Sequence, residues 1–299
     1  MEQRTEYAAC VMTSLDGTVG VVELARPDRG NAVNVRLCAE LHDALDRMDA
    51  DDEVAVVLLA GQGRNFCVGA DLQEGFQGAG KPRSAAFEAF VARFGTAGGV
   101  PRDPGGVVAL RLAAMRKPVV VAVHGAAVGV GASWLLPCDV RIIAESARVG
   151  FVFAKRGIAA ESTASWLLPR VVGITRAAEW VLTGRLVPAQ TLLAAGLATE
   201  VVADAEVREA ALRVAREIAA STSRVAAGVA RQLLWGMLSS ASPVEAHEVE
   251  SRVVWHAAGG ADVAEGVASF LEKRLPEFPL RVPRDYPAYV PAWPAVDNR

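Results

Sequence analysis

The sequence predicts an α/β fold, and three observations predict it. Apolar runs of strand length flank a stretch with helical spacing, glycine-containing turns follow two of those runs, and the C-terminal third carries successive helical patterns. The first run, Val19–Leu24, and a second at 54–59 are bounded by Gly, Pro and Asp and read as strands. Between them Leu37, Leu41, Ala44, Leu45 and Met48 share one helix face, and Asn34 stands where an N-cap belongs. Val119–Val123 is continuously apolar, as in a strand buried on both faces, and 140–143 reads as the next strand. Residues 75–106 are glycine-rich, with Pro82, Pro101 and Pro104 around a short helical patch at Ala85–Phe94. So loose a segment is expected to form a mobile loop over a pocket. From Asp204 onward helices are expected at 205–220, 224–238, Pro243–Ala257 and 261–273. Six prolines from Pro276 to Pro294 then exclude a regular element. With Tyr286, Tyr289 and Trp293, that tail is expected to pack on a surface, a neighbouring subunit's included. The organisation expected is a core at 1–203, a helical region at 204–275 and a proline-rich tail at 276–299.

Composition narrows the function classes. A chain of 299 residues that is 52% hydrophobic can bury a large core. Its net charge of −3 supplies no basic field for nucleic acid or an anionic membrane. The longest apolar runs are strand-sized, which argues against a membrane span, and Met1-Glu2-Gln3-Arg4-Thr5-Glu6 lacks a signal-peptide core. Cys10, Cys38, Cys67 and Cys138 show neither zinc nor redox spacing. They read as small buried hydrophobes in a reducing compartment, so a cytoplasmic location and no metal site are expected.

The chemistry concentrates in two turns, Cys67-Val68-Gly69-Ala70-Asp71-Leu72 and Gly125-Ala126-Ala127-Val128-Gly129-Val130-Gly131-Ala132-Ser133. Glycine there permits close backbone approach and dihedrals that other residues resist. If both turns open into helices, two peptide N–H groups can point at one oxygen, which is the recipe for an oxyanion hole. A tight strand-to-helix connection explains either turn alone equally well.

The flanking residues go further. Asn65-Phe66 before the first turn, Lys117-Pro118-Val119-Val120-Val121-Ala122-Val123-His124 before the second, and Cys138-Asp139 after it closely resemble the crotonase superfamily of enoyl-coenzyme A hydratases and isomerases. So do Arg26-Pro27-Asp28-Arg29-Gly30-Asn31-Ala32-Val33, Leu182-Thr183-Gly184-Arg185, Ala194-Ala195-Gly196-Leu197-Ala198 and Ser269-Phe270-Leu271-Glu272-Lys273-Arg274. The resemblance implies a crotonase-type ββα spiral core with a C-terminal helical oligomerisation region. It implies an oxyanion hole built from the Ala70 and Val130 amides, which would stabilise an enolate made from an acyl thioester. The second hole position is usually glycine in the family; valine keeps the N–H.

The acid–base residues depart from the family's hydratase pattern. The two glutamates that hold water there align with Ser133 and Phe153, and a serine hydroxyl cannot replace a glutamate as general base. Gly157-Ile158-Ala159-Ala160-Glu161-Ser162-Thr163-Ala164-Ser165 is instead similar to the isomerase branch, where one glutamate at the Glu161 position moves a proton between carbons. As a plain structural residue, Glu161 would be a helix-start carboxylate bonded to nearby amides. Trp134 and Trp166 shape the acyl pocket or simply pack in the core.

The expected reaction is therefore double-bond isomerisation of an acyl thioester of coenzyme A or an acyl carrier protein. No cofactor is called for beyond the coenzyme A of the substrate. Alternatives are a hydratase using Glu161 with Ser133 placing a water, a decarboxylase relying on the hole, and a silent thioester-binding protein. For the thioester carrier, the resemblance points to Arg29, Ala70, Asp71 and Leu72, with Phe270 and Lys273 reaching the adenine end from an adjacent subunit. Asp71 itself is expected to anchor its turn. A homotrimer or hexamer is implied, with no nucleic-acid or membrane partner.

Overall fold

The computed structural model describes residues 5–7, 10–75 and 78–294. The chain opens with β1 (Thr5–Tyr7), β2 (Val11–Asp16) and β3 (Val19–Leu24), an antiparallel meander. Helix α1 (Val35–Ala50) follows, capped by Asn34, whose side chain accepts from the Leu37 amide at 2.9 Å, and it leads to β4 (Val56–Gly61). The strand begins two residues later than the apolar run, because Val19 pairs with Val56 and the Ala55 amide is held by the Thr18 carbonyl.

The glycine-rich stretch holds α2 (Ala85–Phe94), capped by Ser84, and a short hairpin of β5 (Thr96–Ala97) and β6 (Val100–Pro101). It runs into α3 (Pro104–Ala113), a helix that the sequence pattern did not reveal. Next come β7 (Val119–Val123), β8 (Ala126–Val128), the short α4 (Val130–Ser133), β9 (Val140–Ala144) and β10 (Arg148–Gly150). Helices α5 (Ala164–Val172) and α6 (Ile174–Thr183), strand β11 (Leu186–Pro188), α7 (Ala189–Ala194) and β12 (Glu200–Val202) complete this part. The last four helices are α8 (Val207–Ser221), α9 (Arg224–Gly236), α10 (Pro243–Ala257) and α11 (Ala261–Glu272). All four lie where periodicity expects them, within two residues at each end.

The main sheet has the order β1-β2-β3-β4-β7-β9-β12 and is parallel from β3 onward. A second sheet runs β11-β10-β8. Each pass of chain thus places one strand in the main sheet and a short one in the second: β7 then β8 and α4, β9 then β10 and α5. This is the ββα spiral. All residues of β4 and β7 are buried, so both faces of the sheet are covered. Helix α8 lies on the sheet and places Val207, Ala210, Ala211, Leu212 and Ala215 in the same core. Among the described residues, no helix is long and apolar enough to cross a membrane.

The proline-rich tail carries no helix or strand over its described residues and packs on its own chain. Trp293 lies between Trp166, 5.6 Å away, and Trp235, against which it stacks at 5.7 Å. Its amide donates to Gln232 Oε1, and Val282 and Val290 are buried.

Candidate functional site

The two glycine turns are stitched together by backbone bonds. The Cys67 amide donates to the Ala126 carbonyl, and the Val128 amide donates back to Cys67, both at 2.9 Å. The turns sit so close that a Cβ on Gly131 would lie 2.7–2.8 Å from Cys67 atoms, a distance real Cβ atoms do not show, and one on Gly69 would meet the Val128 carbonyl at 3.1 Å. Gly69 has φ +98° and Gly129 φ +56°, conformations that L side chains rarely adopt. Around Ala70, the Val68 and Asp71 amides donate to the Gly30 and Val33 carbonyls. Around Val130, the Gly129, Ala132 and Ser133 amides are likewise engaged. Among the described residues, neither the Ala70 nor the Val130 amide donates to a backbone acceptor. Two N–H groups on adjoining turns are thus left for an outside oxygen.

The side chains around the first turn lock it. Burial alone would raise the Asp71 carboxyl, but a 3.0 Å pair with Arg26 and the Gln73 amide outweigh it and hold the group below 3.8. Asp71 therefore anchors its turn with its side chain. Leu72 is exposed beside it, and exposed Arg29 donates to Gln73 Oε1 across the same rim. Phe270, 81% exposed, and Lys273 project from the end of α11. Among the described residues, no hydrogen bond or ring contact ties them to the two turns.

Glu161 reaches the site from the loop before α5. The next two residues, Ser162 and Thr163, have φ of +54° and +62°. Consecutive non-glycine residues in that region, one of them β-branched, store strain of the kind found at functional sites. The loop is pinned from below and from the side. The buried Ser133 hydroxyl lies 3.3 Å from the Glu161 carbonyl and 3.4 Å from that of Gly129. Its role in the structure is to brace the Glu161 backbone, and it faces carbonyls. Phe153 is buried, and fully buried Trp134 donates from Nε1 to the Gly105 carbonyl at 3.0 Å, fixing the start of α3 over α4.

Gly105 marks where the parts converge. A Cβ there would lie 2.6 Å from Val130 Cγ2, 2.3 Å from Ser162 Oγ and 3.3 Å from Glu161 Oε2. Val130, Glu161 and its neighbouring Ser162 thus meet around one point that only glycine leaves open. In this enclosure burial raises the Glu161 carboxyl from its ordinary 4.5 to about 8, aided by the nearby Asp103 carboxylate and opposed by Ser162. A carboxyl poised near neutrality can both take and return a proton.

Asp103 is the site residue that sequence reasoning missed. It caps α3, Oδ1 accepting from the Gly105 amide at 3.1 Å and Oδ2 from the Gly106 amide at 2.9 Å. The signal was present: an aspartate followed by proline at the first helical position is a helix start. Two glycines immediately after it disguise that start as a turn. A separate cavity of about 540 Å³, lined by Val229, Leu233, Val253, Val263, Phe278 and Leu280 among others, lies between the C-terminal helices and the tail and contains none of these groups.

Comparison with known proteins points to one family. A family model described as enoyl-CoA hydratase/isomerase matches residues 14–281. The chain is 40% identical over 261 residues to the enoyl-CoA hydratase ACTT3 of Alternaria alternata, covering 87% of this chain and 82% of that one. It is 31% identical over 268 residues to the 1,2-epoxyphenylacetyl-CoA isomerase of Escherichia coli (strain K12), covering 90% and 97%. The crystal structure of a putative enoyl-CoA hydratase from Streptomyces coelicolor A3(2) superposes with a TM-score of 0.80 at 30% identity, over 92% of this chain and 95% of that one. A spiral α/β core and a match along nearly its whole length place the chain in the enoyl-CoA hydratase/isomerase family.

Proposed function

We propose that the protein isomerises the double bond of an enoyl thioester of coenzyme A, with Glu161 moving the proton and the Ala70 and Val130 amides holding the thioester oxygen. Glu161 removes a proton from carbon 2 of a 3-enoyl thioester, and the electron pair moves onto the thioester oxygen as the dienolate forms. The same carboxyl returns the proton at carbon 4, which leaves the conjugated 2-enoyl thioester. The observation that carries this reading is the state of the carboxyls. Asp103 is filled by backbone amides, Ser133 is turned to carbonyls, and Phe153 is buried apolar wall. What is left among the described residues is one carboxyl beside the proposed hole, and one base suffices for a proton shift. A second reading, hydration with Glu161 activating a water, draws on the printed name of the Alternaria relative.

One assay separates the two. A 3-enoyl-CoA is expected to give the 2-enoyl product with little 3-hydroxyacyl thioester, and in deuterium oxide part of the original hydrogen is retained, because a shielded base returns its own proton. Rapid stoichiometric hydration of a 2-enoyl-CoA overturns isomerisation in favour of the hydratase.

For the carrier, the reading uses Arg29 and the backbone of Ala70, Asp71 and Leu72 at the exposed rim. It uses Phe270 and Lys273 as groups offered to an adjacent subunit. The exposed apolar side chains of α10 (Val254 and Trp255, the latter 80% exposed) and of α11 (Val267, Phe270 and Leu271) support a closed assembly of trimers, alone or paired as hexamers. Light scattering at micromolar concentration is expected to show it; a monomer alone removes both the assembly and the role given to Phe270 and Lys273.

A further inference from the structure

Glu161 and Asp103 are joined by one hydroxyl. Ser162 Oγ lies 2.5 Å from Glu161 Oε2 and 3.3 Å from Asp103 Oδ2, and the Ser162 amide donates to the same Oδ2 at 3.0 Å. A serine hydroxyl carries one proton, so it cannot donate to both carboxylates at once. If both were ionised, two like charges would face each other in a buried pocket with one oxygen unsatisfied. A single added proton resolves this. The Glu161 O–H donates to Ser162 Oγ, and the Ser162 O–H donates to Asp103 Oδ2. Asp103 is the acceptor end because its oxygens already face three amide N–H groups, those of Gly105, Gly106 and Ser162. Glu161 Oε2 faces a hydroxyl.

We infer that Asp103, Ser162 and Glu161 form one proton-sharing unit in which Glu161 holds the proton at rest and Asp103 sets the pH at which it is released. Asp103 is then a positioning residue for the acid–base group, in addition to being the cap of α3. Of the neighbouring charges, that of Asp103 acts most on Glu161. From α1, burial first and the charges of both carboxyls second push the Cys38 thiol well above its ordinary 9.0, so it stays neutral. From α4 come Val130 and Ser133, both uncharged, and Arg102 precedes Asp103 in the chain. The activity arm of the test below rests on Glu161 being the base of the proposed isomerisation; the titration arm does not.

The titration is read by difference infrared spectroscopy of the ligand-free enzyme from roughly pH 5 to pH 9. A carboxylic-acid carbonyl band is expected to persist through neutrality and vanish above it, and to be missing from Glu161→Gln. Asp103→Asn and Asp103→Ser both keep a side chain able to cap α3, so either one that folds serves. In them the band is expected to vanish about one pH unit lower or more. A wild-type band lost in the ordinary carboxylate range, or one that neither variant moves, overturns the proposal. In the activity arm, the rising limb of kcat/KM for a 3-enoyl-CoA follows the band. Relative to its own plateau, Asp103→Asn is then about tenfold faster than wild type at low pH, a gain that mere structural damage does not produce. A band that shifts while the limb stays put upholds the unit and overturns Glu161 as the base.

Discussion

Replacing Glu161 by glutamine is expected to lower turnover of a 3-enoyl thioester by about 10²-fold or more, the usual share of general acid–base catalysis. The substitution keeps size and most hydrogen bonding and removes the basicity that takes up the proton. Glu161 is placed beside Gly105 and Val130, and in the proposed reading the carrier is held by other residues, Arg29 among them. The loss should therefore fall on kcat, with KM changed by a few-fold at most. Steady-state kinetics on a folded variant checks this, and near-normal turnover contradicts the assignment.

Replacing Arg231 by alanine is expected to destabilise the fold by about 3–5 kcal/mol, the cost typical of breaking a buried ion pair from one side. Arg231 lies on α9, 4% exposed, and its guanidinium pairs with Asp139 at 2.7 Å. It also donates to the carbonyls of Leu112, Ala113, Met115 and Pro137. Truncation leaves those carbonyls short of a donor in the core and unfastens α9 from the end of α3. Since α3 carries Asp103 at its other end, the change should also lower activity below the midpoint of unfolding. Urea denaturation measures the cost; a shift under about 0.5 kcal/mol, the range of an ordinary surface substitution, contradicts it.

What the sequence made legible follows the range of the signal. Helix α1, the C-terminal helices and both glycine turns rest on neighbours within a few residues: an Asn34 cap, a 3.6-residue period, a glycine where φ is positive. The four helices it did not reveal have disguised or uncapped starts. Helix α3 hides its start behind Gly105 and Gly106. Helix α5 begins from two strained residues without a side-chain cap and contains Pro169, and α6 and α7 also begin without side-chain caps. Of the site, Ala70, Val130 and Glu161 were named through the resemblance, and the structure brings Val130 and Glu161 around Gly105. Asp103 meets Ser162 across 59 residues of chain, and no local pattern records such a meeting. The tail shows the same limit. Its six prolines exclude a helix, but nothing in them states that Trp293 settles on Trp166, just beyond the Glu161 loop, or that its platform on the other side is Trp235.

The account stands on the use of two backbone amides, and a crystal structure with an unreactive acyl-CoA tests that most directly. The thioester oxygen is expected within roughly 2.7–3.2 Å of both the Ala70 and Val130 nitrogens, with the Glu161 carboxyl beside carbon 2 of the acyl chain. A thioester carbonyl bound elsewhere, with those two amides on water or on neither, contradicts the central claim.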